Sequence, residues 1–483
     1  MWKRVTTRWK RCWHGVARIT YPRTWPRVSV SDPPLTLDRL GALDVGLVGV
    51  GREGRATWAR FVERHPGRPL TLYTEHAPEP AFIEQLRPGL DRLVCGPMPS
   101  RELCRHDILV RSPGVSPYRG ALGEAVAAGS RTTSASSLWF AEHGGDRVIA
   151  VTGTKGKSTT TALVATLLRA AGHAVTMAGN IGRPLFDLDP GHDGWVVLEL
   201  SSYQLCDLEG APAYGVLLNL SDEHLDWHGG AARYRADKLR LAGLVRPGGL
   251  VANGADTALR AALAGHDDVH WFNVDHADRV GQAGVELLGG GLLQPTAALP
   301  GRHNLANLAA AVAVTRLAGV PPPDPQSALE SFQGLPHRLQ RLGESGDGLA
   351  FVDDSLSTTP VATLAALQAL AGQAVTLLVG GLDRGLDWRP FVAPIAETAP
   401  HAVIGLPDSG EQLVELLVAG GLQCPGGLHV SRDMADALDI ARAVSRRPGL
   451  VVLSPGAPSF PRYRDYIERA EDFARHAGLV LPA

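Results

Sequence analysis

The stretch "VTGTKGKSTTTALVATLLRAAGHAV", Val151 to Val175, joins an apolar run to an amphipathic one through a charged, glycine-broken loop. Apolar run, loop and 3.6-residue periodicity read as strand, turn and helix. The start of a helix already carries unpaired N–H groups and partial positive charge. Lys155 and Lys157 at that position are unfavourable unless an anion joins them.

Gly153, Gly156, Lys157 and Ser158 are spaced like a Walker A loop, with fewer residues between the glycines than G-x-x-x-x-G-K-[ST]. Backbone N–H groups of such a loop cradle phosphate, and its lysine reaches the outer phosphates. Ser158 or Thr159 can offer an oxygen to Mg²⁺, and the predicted ligand is ATP. Glu199 ends the apolar run "WVVLEL", where a carboxylate can hold Mg²⁺ or its water. Further on, "LNLSDEHLDWHGGAARYRADKLRL" places His224, Asp226 and His228 after a strand and Lys238 on a helix. No zinc-type ligand set accompanies these histidines. His228 is read as a solvated loop residue, and His224 stays open.

A chain of 483 residues is too long for one core and predicts two or three domains. The formal net charge of -2 argues against nucleic-acid binding. No apolar run reaches the roughly 20 residues of a membrane span, so an integral membrane protein is not expected. Cys12, Cys95, Cys104, Cys206 and Cys424 are scattered and odd in number, which suggests reduced thiols and a cytoplasmic location. The opening "MWKRVTTRWKRCWHGVARITYPRTWPRVSVSDPP" is basic, tryptophan-rich and without a continuous apolar h-region. It is read as a disordered extension, with contact to a membrane surface as the sharper alternative.

Three blocks follow. "DVGLVGVGREGRATWARFVERH" and "LTLYTE" open a nucleotide-type βαβ unit, with Gly49, Gly51 and Gly54 in G-x-G-x-x-G spacing. A tight turn without ligand satisfies that spacing equally well. The second block starts near Arg147 and the third near "GLPHRLQRLG". Strands alternating with helices predict an α/β protein with parallel sheets, whose ligands sit at the carboxyl ends of the strands. Glycine-rich "AGVELLGGGLLQPTAALPG" predicts a hairpin inside the second block.

In order, "TGTKGKSTTT", "LELSSYQL", "NLSDEHLDWHG", "DKLRL", "GRHNLANLAAA", "GLPHRLQ", "DDSLSTTP", "GGLDRGLD" and "LSPGAPSF" resemble the Mur ligases over residues 42 to 480. The branch they most resemble joins glutamate to UDP-N-acetylmuramoyl-L-alanine. The resemblance leaves out the basic extension over 1–41 and implies a Rossmann-like UDP-substrate domain over 42–134. It also implies a central P-loop ATPase domain over 135–336 and a Rossmann-like amino-acid domain over 337–483. ATP and two Mg²⁺ are implied, with a carboxylate phosphorylated first and then attacked by the amine.

By motif, Gly153 to Lys157 would hold phosphates, and Ser158, Thr159 and Glu199 the first Mg²⁺. His224 would bind a second, with Lys238 carbamylated, since an ammonium has no lone pair for a cation and a carbamate does. Asn304 and Asn307 resemble adenine-side residues, and Arg338 and Asp354 resemble residues that meet ATP from the third domain. Asn180, Ser201, Ser202 and Gln204 match positions beside the muramoyl-alanine. Gly49, Val50, Gly51 and Arg52 would lie by the uridine diphosphate. Thr358, Thr359, Arg384, Ser459 and Tyr466 match or adjoin the amino-acid pocket.

Three departures stand out. Lys155 replaces the usual asparagine, Arg384 replaces a lysine, and Leu356 stands where a lysine would pair with the carboxylate of D-glutamate. A carboxylate beside Leu356 would be desolvated without a partner. The expectation is therefore L-glutamate as the amino acid, with D-glutamate as the alternative and a later epimerase as a pathway partner. A monomer is expected. A folylpolyglutamate synthase-like ligase and a silent nucleotide-sugar-binding P-loop protein are the remaining alternatives.

Overall fold

Apolar runs closed by glycine or a polar loop form the strands of this computed structural model. It describes residues 34–481 except 182, 190, 297, 300, 384–386 and 399. The basic extension and Arg384 thus lie outside the described residues. The first sheet contains β1 (Val45–Val48), β2 (Leu70–Thr74), β3 (Asp91–Cys95), β4 (Ile108–Arg111) and β5 (Thr132–Ser134). Their order is β3-β2-β1-β4-β5 and every pair is parallel. All four residues of β1 are buried, as a central parallel strand covered on both faces requires.

Gly49 leaves β1 at φ +95°, a left-handed conformation that favours glycine, and the helix Arg52–Arg64 follows. A Cβ on Gly54 would lie 2.0 Å from the Gly49 carbonyl oxygen, so the helix approaches the turn through a missing side chain. Gly54→Ala must push backbone apart and should cost about 3 kcal/mol or more, read as a lower urea midpoint.

Contacts divide the chain into two compact units. The first takes in the described chain up to Thr154 with 184–190 and 200–271, and the second takes in 155–183, 191–199 and the chain from Phe272 on. In the first unit β6 (Val148–Thr152) pairs parallel with the strand Tyr214–Leu217, aligning Thr152 with Leu217. In the second unit β7 (Val175–Gly179) pairs parallel with β8 (Trp195–Glu199), which sets Gly179 beside Glu199. The strand Tyr214–Leu217 is β9, and it also pairs parallel with β10 (Leu250–Asn253). β11 (Val269–Phe272) follows.

The expected hairpin is part of a small antiparallel sheet of β12 (Arg279–Val280), β13 (Val285–Glu286) and β14 (Leu292–Leu293). Gly289, Gly290 and Gly291 turn it with positive φ. The last sheet holds β15 (Gln340–Glu344), β16 (Leu349–Asp353), β17 (Val375–Val379), β18 (Ala402–Gly405), β19 (Leu428–Val430) and β20 (Gly449–Leu453). Its order is β15-β16-β20-β17-β18-β19, and only the β15 pairing is antiparallel. Ala350 and Val352 enter one core cluster, and Leu349 and Phe351 enter another, so helices bury both faces of the sheet. Among the described residues no helix is long and apolar enough to cross a membrane.

Candidate active site

The phosphate-type loop is tied down on both sides of its midpoint. In the first unit the Thr154 amide donates to the Asn219 carbonyl at 3.1 Å, and its hydroxyl meets the Ser221 carbonyl at 2.9 Å and the Tyr234 hydroxyl at 2.8 Å. Lys238 is buried on the helix Ala231–Leu244 and its Nζ donates to the Gly153 carbonyl at 3.0 Å. The same Nζ lies 5.2 Å from the centre of the Tyr234 ring. The lysine singled out by its motif thus lies against the Gly153 end of the loop.

In the second unit Gly156 sits at φ +83°, where a Cβ would fall 2.3 Å from Asn307 Oδ1. Asn307 is buried and donates through Nδ2 to Asn304 Oδ1 at 3.1 Å. The helix Lys157–Ala170 starts at Gly156 without a side-chain cap hydrogen bond, and the start of a helix favours an anion. Lys155 is exposed, and Lys157, Ser158 and Thr159 are half-buried on that first turn. The helix Arg302–Leu317, carrying both asparagines, packs along this helix.

Glu199 is the most telling side chain. At the end of β8 it is 1 % exposed, and Oε1 accepts from Asn180 Nδ2 at 2.7 Å. Oε2 is buried with no hydrogen-bond partner among the described residues. An orphaned buried carboxylate oxygen costs several kcal/mol, on the order of a lost charged hydrogen bond plus its desolvation. A hard divalent cation would satisfy it, because Mg²⁺ takes one or two carboxylates plus phosphate and water oxygens. Lys238 would suit a cation only as a carbamate, since its Nζ is a hydrogen-bond donor. His224 caps the short helix Leu225–His228 at φ +54°, half-exposed, with its ring 5.0 Å from that of Tyr203.

Of the acceptor-side residues, Ser201, Ser202 and Gln204 lie in the first unit and Asn180 in the second. Ser201 caps the helix Ser202–Leu205, and Gln204 Oε1 accepts from the Ser201 amide at 2.9 Å and from its hydroxyl at 3.0 Å. Gln204 Nε2 donates to Glu53 Oε1 at 2.6 Å. Burial raises the Glu53 carboxyl above the usual carboxylate range despite that hydrogen bond. Glu53 thus links the Gly49–Arg52 turn to the Ser201–Gln204 segment. Val50 is buried, with its carbonyl accepting from Arg55, while Gly51 and Arg52 are exposed. Nearby, Arg111 is buried and forks onto Asp207 at 2.6 and 2.7 Å. Burial works against its charge, but the Asp207 carboxylate more than compensates and raises its pKa.

His228 requires a correction. It was expected to be solvated, yet it is wholly buried, with Nδ1 2.7 Å from Asp237 Oδ2 and Nε2 2.9 Å from Ser202 Oγ. The Tyr118 hydroxyl donates to the Asp237 carboxylate at 2.8 and 2.9 Å, closing over the histidine from a loop far earlier in the chain. Sequence reading missed Tyr118, Asp237 and Glu53 because nothing local announces their partners.

At the strand ends of the last sheet, Asp354 is buried and accepts from the Ser357 hydroxyl, from Ser454 Oγ at 2.7 Å and from the Leu339 amide at 3.1 Å. Burial pushes its carboxyl up to about 6, while these donors and the Arg338 charge pull the other way. Arg338 itself is exposed. Between about pH 4 and 6 the folded protein holds a proton here that the unfolded chain, at its ordinary 3.8, releases. Stability falls as pH rises through that window and stays low above it. Asp354→Asn should remove this slope and gain about 2–3 kcal/mol over the parent at pH 7.5 but little at pH 4, read by urea unfolding.

Leu356, Thr358, Ser459 and Tyr466 are half-buried around these loops, and Thr359 caps the helix Pro360–Ala369. Tyr466 accepts the Ser355 hydroxyl on its carbonyl at 2.9 Å. A further unforeseen residue is Arg469, buried on the helix Tyr466–Ala477. It donates to the Ser355 carbonyl at 2.8 Å, to Ser355 Oγ at 3.0 Å and to the Ala457 carbonyl at 3.0 Å, pinning two loops together. Its place four residues before buried Phe473 was the available signal.

Residues 151–315 match the model of the Mur ligase middle domain. The chain is 42% identical over 465 residues to the UDP-N-acetylmuramoyl-L-alanine--L-glutamate ligase of Xanthomonas euvesicatoria, covering 92% of this chain and 97% of that protein. A protein of the same name from Salinispora tropica is 38% identical over 91% of this chain and 98% of its own. In fold the chain is similar to the crystal structure of UDP-N-acetylmuramate-alanine ligase MurC from Thermotoga maritima, at a TM-score of 0.57 and 19% identity, covering 90% of this chain and 99% of that one. The MurF ligase from Thermotoga maritima, solved with ADP, gives 0.55 at 18% identity over 90% and 93%.

Proposed function

Because this chain belongs to the Mur ligase family, we propose that it is an ATP- and Mg²⁺-dependent ligase joining glutamate to UDP-N-acetylmuramoyl-L-alanine in peptidoglycan synthesis, and that the glutamate is the L enantiomer. The observation that carries the chemistry is Glu199 Oε2, a buried carboxyl oxygen with no hydrogen-bond partner among the described residues, which a cation would satisfy.

The proposed reaction has two steps. The alanyl carboxylate attacks the γ-phosphorus of ATP, forming a P–O bond as the bond to ADP breaks. The free amine of glutamate then attacks the carbonyl carbon of the acyl phosphate, and phosphate leaves with its electron pair. Both reactants of the first step are negative, so positive groups must lie between them. Bound Mg²⁺ supplies charge neutralisation for phosphoryl transfer. Glu199, Lys238 as its carbamate and His224 would hold it, with Ser158 or Thr159.

Lys157 and the N-terminal turn of its helix would bind the phosphates, with Asn304 and Asn307 on the adenine side. Asp354 and Arg338 would approach ATP from the last sheet. Asn180, Ser201 and Gln204 would hold the acceptor.

For the enantiomer, Leu356 supplies no charge where a D-glutamate site would use lysine, and the curated relatives carry L-glutamate in their names. Inverting the α-carbon with the amine fixed for attack moves at least one carboxylate to other donors, for which Thr358, Ser459 and Tyr466 are candidates. An L-glutamyl product would then need a second enzyme to invert that centre wherever a D residue is required. Parallel ligation assays with pure enantiomers decide the matter. Turnover with L-glutamate is expected; strong turnover with D-glutamate and little with L-glutamate would overturn the assignment.

A further inference from the structure

The buried line Tyr118–Asp237–His228–Ser202 joins a loop after β4 to three helices, all within the first unit. We infer that Asp237 and His228 are positioning residues that fix the proton of the Ser202 hydroxyl, so that Ser202 Oγ meets the substrate as an acceptor for an N–H group. This rests on the ligase reading above.

The direction follows from counting donors. Tyr118 has one O–H, and its oxygen lies 2.8 and 2.9 Å from the two Asp237 oxygens. A carboxylate accepts and does not donate, so His228 Nδ1, at 2.7 Å, carries a proton toward it. In a neutral ring Nε2 then holds the lone pair. Ser202 Oγ lies 2.9 Å from Nε2, so with a neutral ring the hydroxyl is the donor. With its only proton committed, Oγ keeps its remaining lone pairs for a donor.

His228, Ser202 and Asp237 are each at most 5 % exposed, so little water competes for these bonds. Ser202 adjoins Ser201 at the capped turn, and Asp237 adjoins Lys238 on its helix. The proposed substrates offer two such donors: the alanyl amide N–H of the acceptor and the amine of the incoming glutamate.

Asp237→Asn reverses the line. Its single oxygen remains with the Tyr118 hydroxyl, and its amide donates to Nδ1. Nε2–H then donates to Ser202, whose own proton is freed and now repels a substrate N–H. Asp237→Asn, Ser202→Ala and the double variant should be assayed beside the parent for phosphate release and product. Each single change should lower kcat/KM about tenfold or more. The double variant should be no worse than the poorer single, since both remove one interaction.

A raised KM for the acceptor assigns the alanyl amide; a changed kcat or glutamate KM with acceptor KM held assigns the amine. Tyr118→Phe keeps the carboxylate and should lose less than about threefold.

A readout independent of activity is ¹⁵N NMR of histidine-labelled protein, with the His228 signals identified by their loss in His228→Gln. The parent should show Nδ1 protonated and Nε2 bare, and Asp237→Asn the reverse. Additive losses in the double variant, or a parent ring protonated at Nε2, would overturn the inference. An inactive parent would sink the ligase reading instead, with the NMR spectrum still judging the proton's position. If Asp237→Asn does not fold, the parent spectrum and Ser202→Ala carry the test.

Discussion

Lys238→Ala should lower ligation by about a thousandfold or more, the scale of losing a group that orders metal and phosphate charge at the reacting centre. Nζ is buried and already 3.0 Å from the Gly153 carbonyl, so a carbamate built on it would stand beside the phosphate-type loop. Lys238→Arg keeps the positive charge and the donor yet cannot form the carbamate. It should be about as inactive as the alanine variant, and full activity would refute the carbamate. Added bicarbonate should restore neither variant. A small carboxylate that enters the cavity left by alanine should restore part of the loss, because it replaces the missing oxygens. Enrichment with ¹³C-bicarbonate should give a carbamate signal in the parent that is absent from both variants, whatever their activity.

Glu199→Gln should separate stability from activity. In the parent, Asn180 satisfies one carboxylate oxygen and the other is buried without a hydrogen-bond partner among the described residues. The amide keeps the oxygen that Asn180 needs and removes the buried charge, so the variant without nucleotide and metal should unfold about 1–2 kcal/mol later. Ligation should fall about a hundredfold to a thousandfold, because a neutral amide is a poor ligand for Mg²⁺. Addition of MgATP should raise the parent's melting temperature more than the variant's, by linkage. A variant that loses both stability and activity would show that Glu199 is a structural residue.

Local features of the chain determined the alternation of strands and helices, the turn at Gly49, the loop at Gly153–Ser158 and the strand-end position of Glu199. Each depends on a few neighbouring residues: an apolar run long enough for a buried parallel strand, a glycine that can take positive φ, a periodic stretch that can bury one face. The ordered motifs also singled out Lys238 and Asp354, and both are buried.

Burial of polar side chains was different. His228 is followed by two glycines and reads as a loop residue, yet Tyr118, Asp237 and Ser202 enclose it. Gln204 is oriented by Glu53, 151 residues away in sequence. Arg469 lies among acids and alanines that suggest a surface helix, and only the loops at Ser355 and Ala457 draw it inside. Backbone conformation is set largely by adjacent residues, so it can be read along the chain. The charge, direction and exposure of a polar group depend on which distant group removes its water, and that is decided only when the tertiary fold brings the two together.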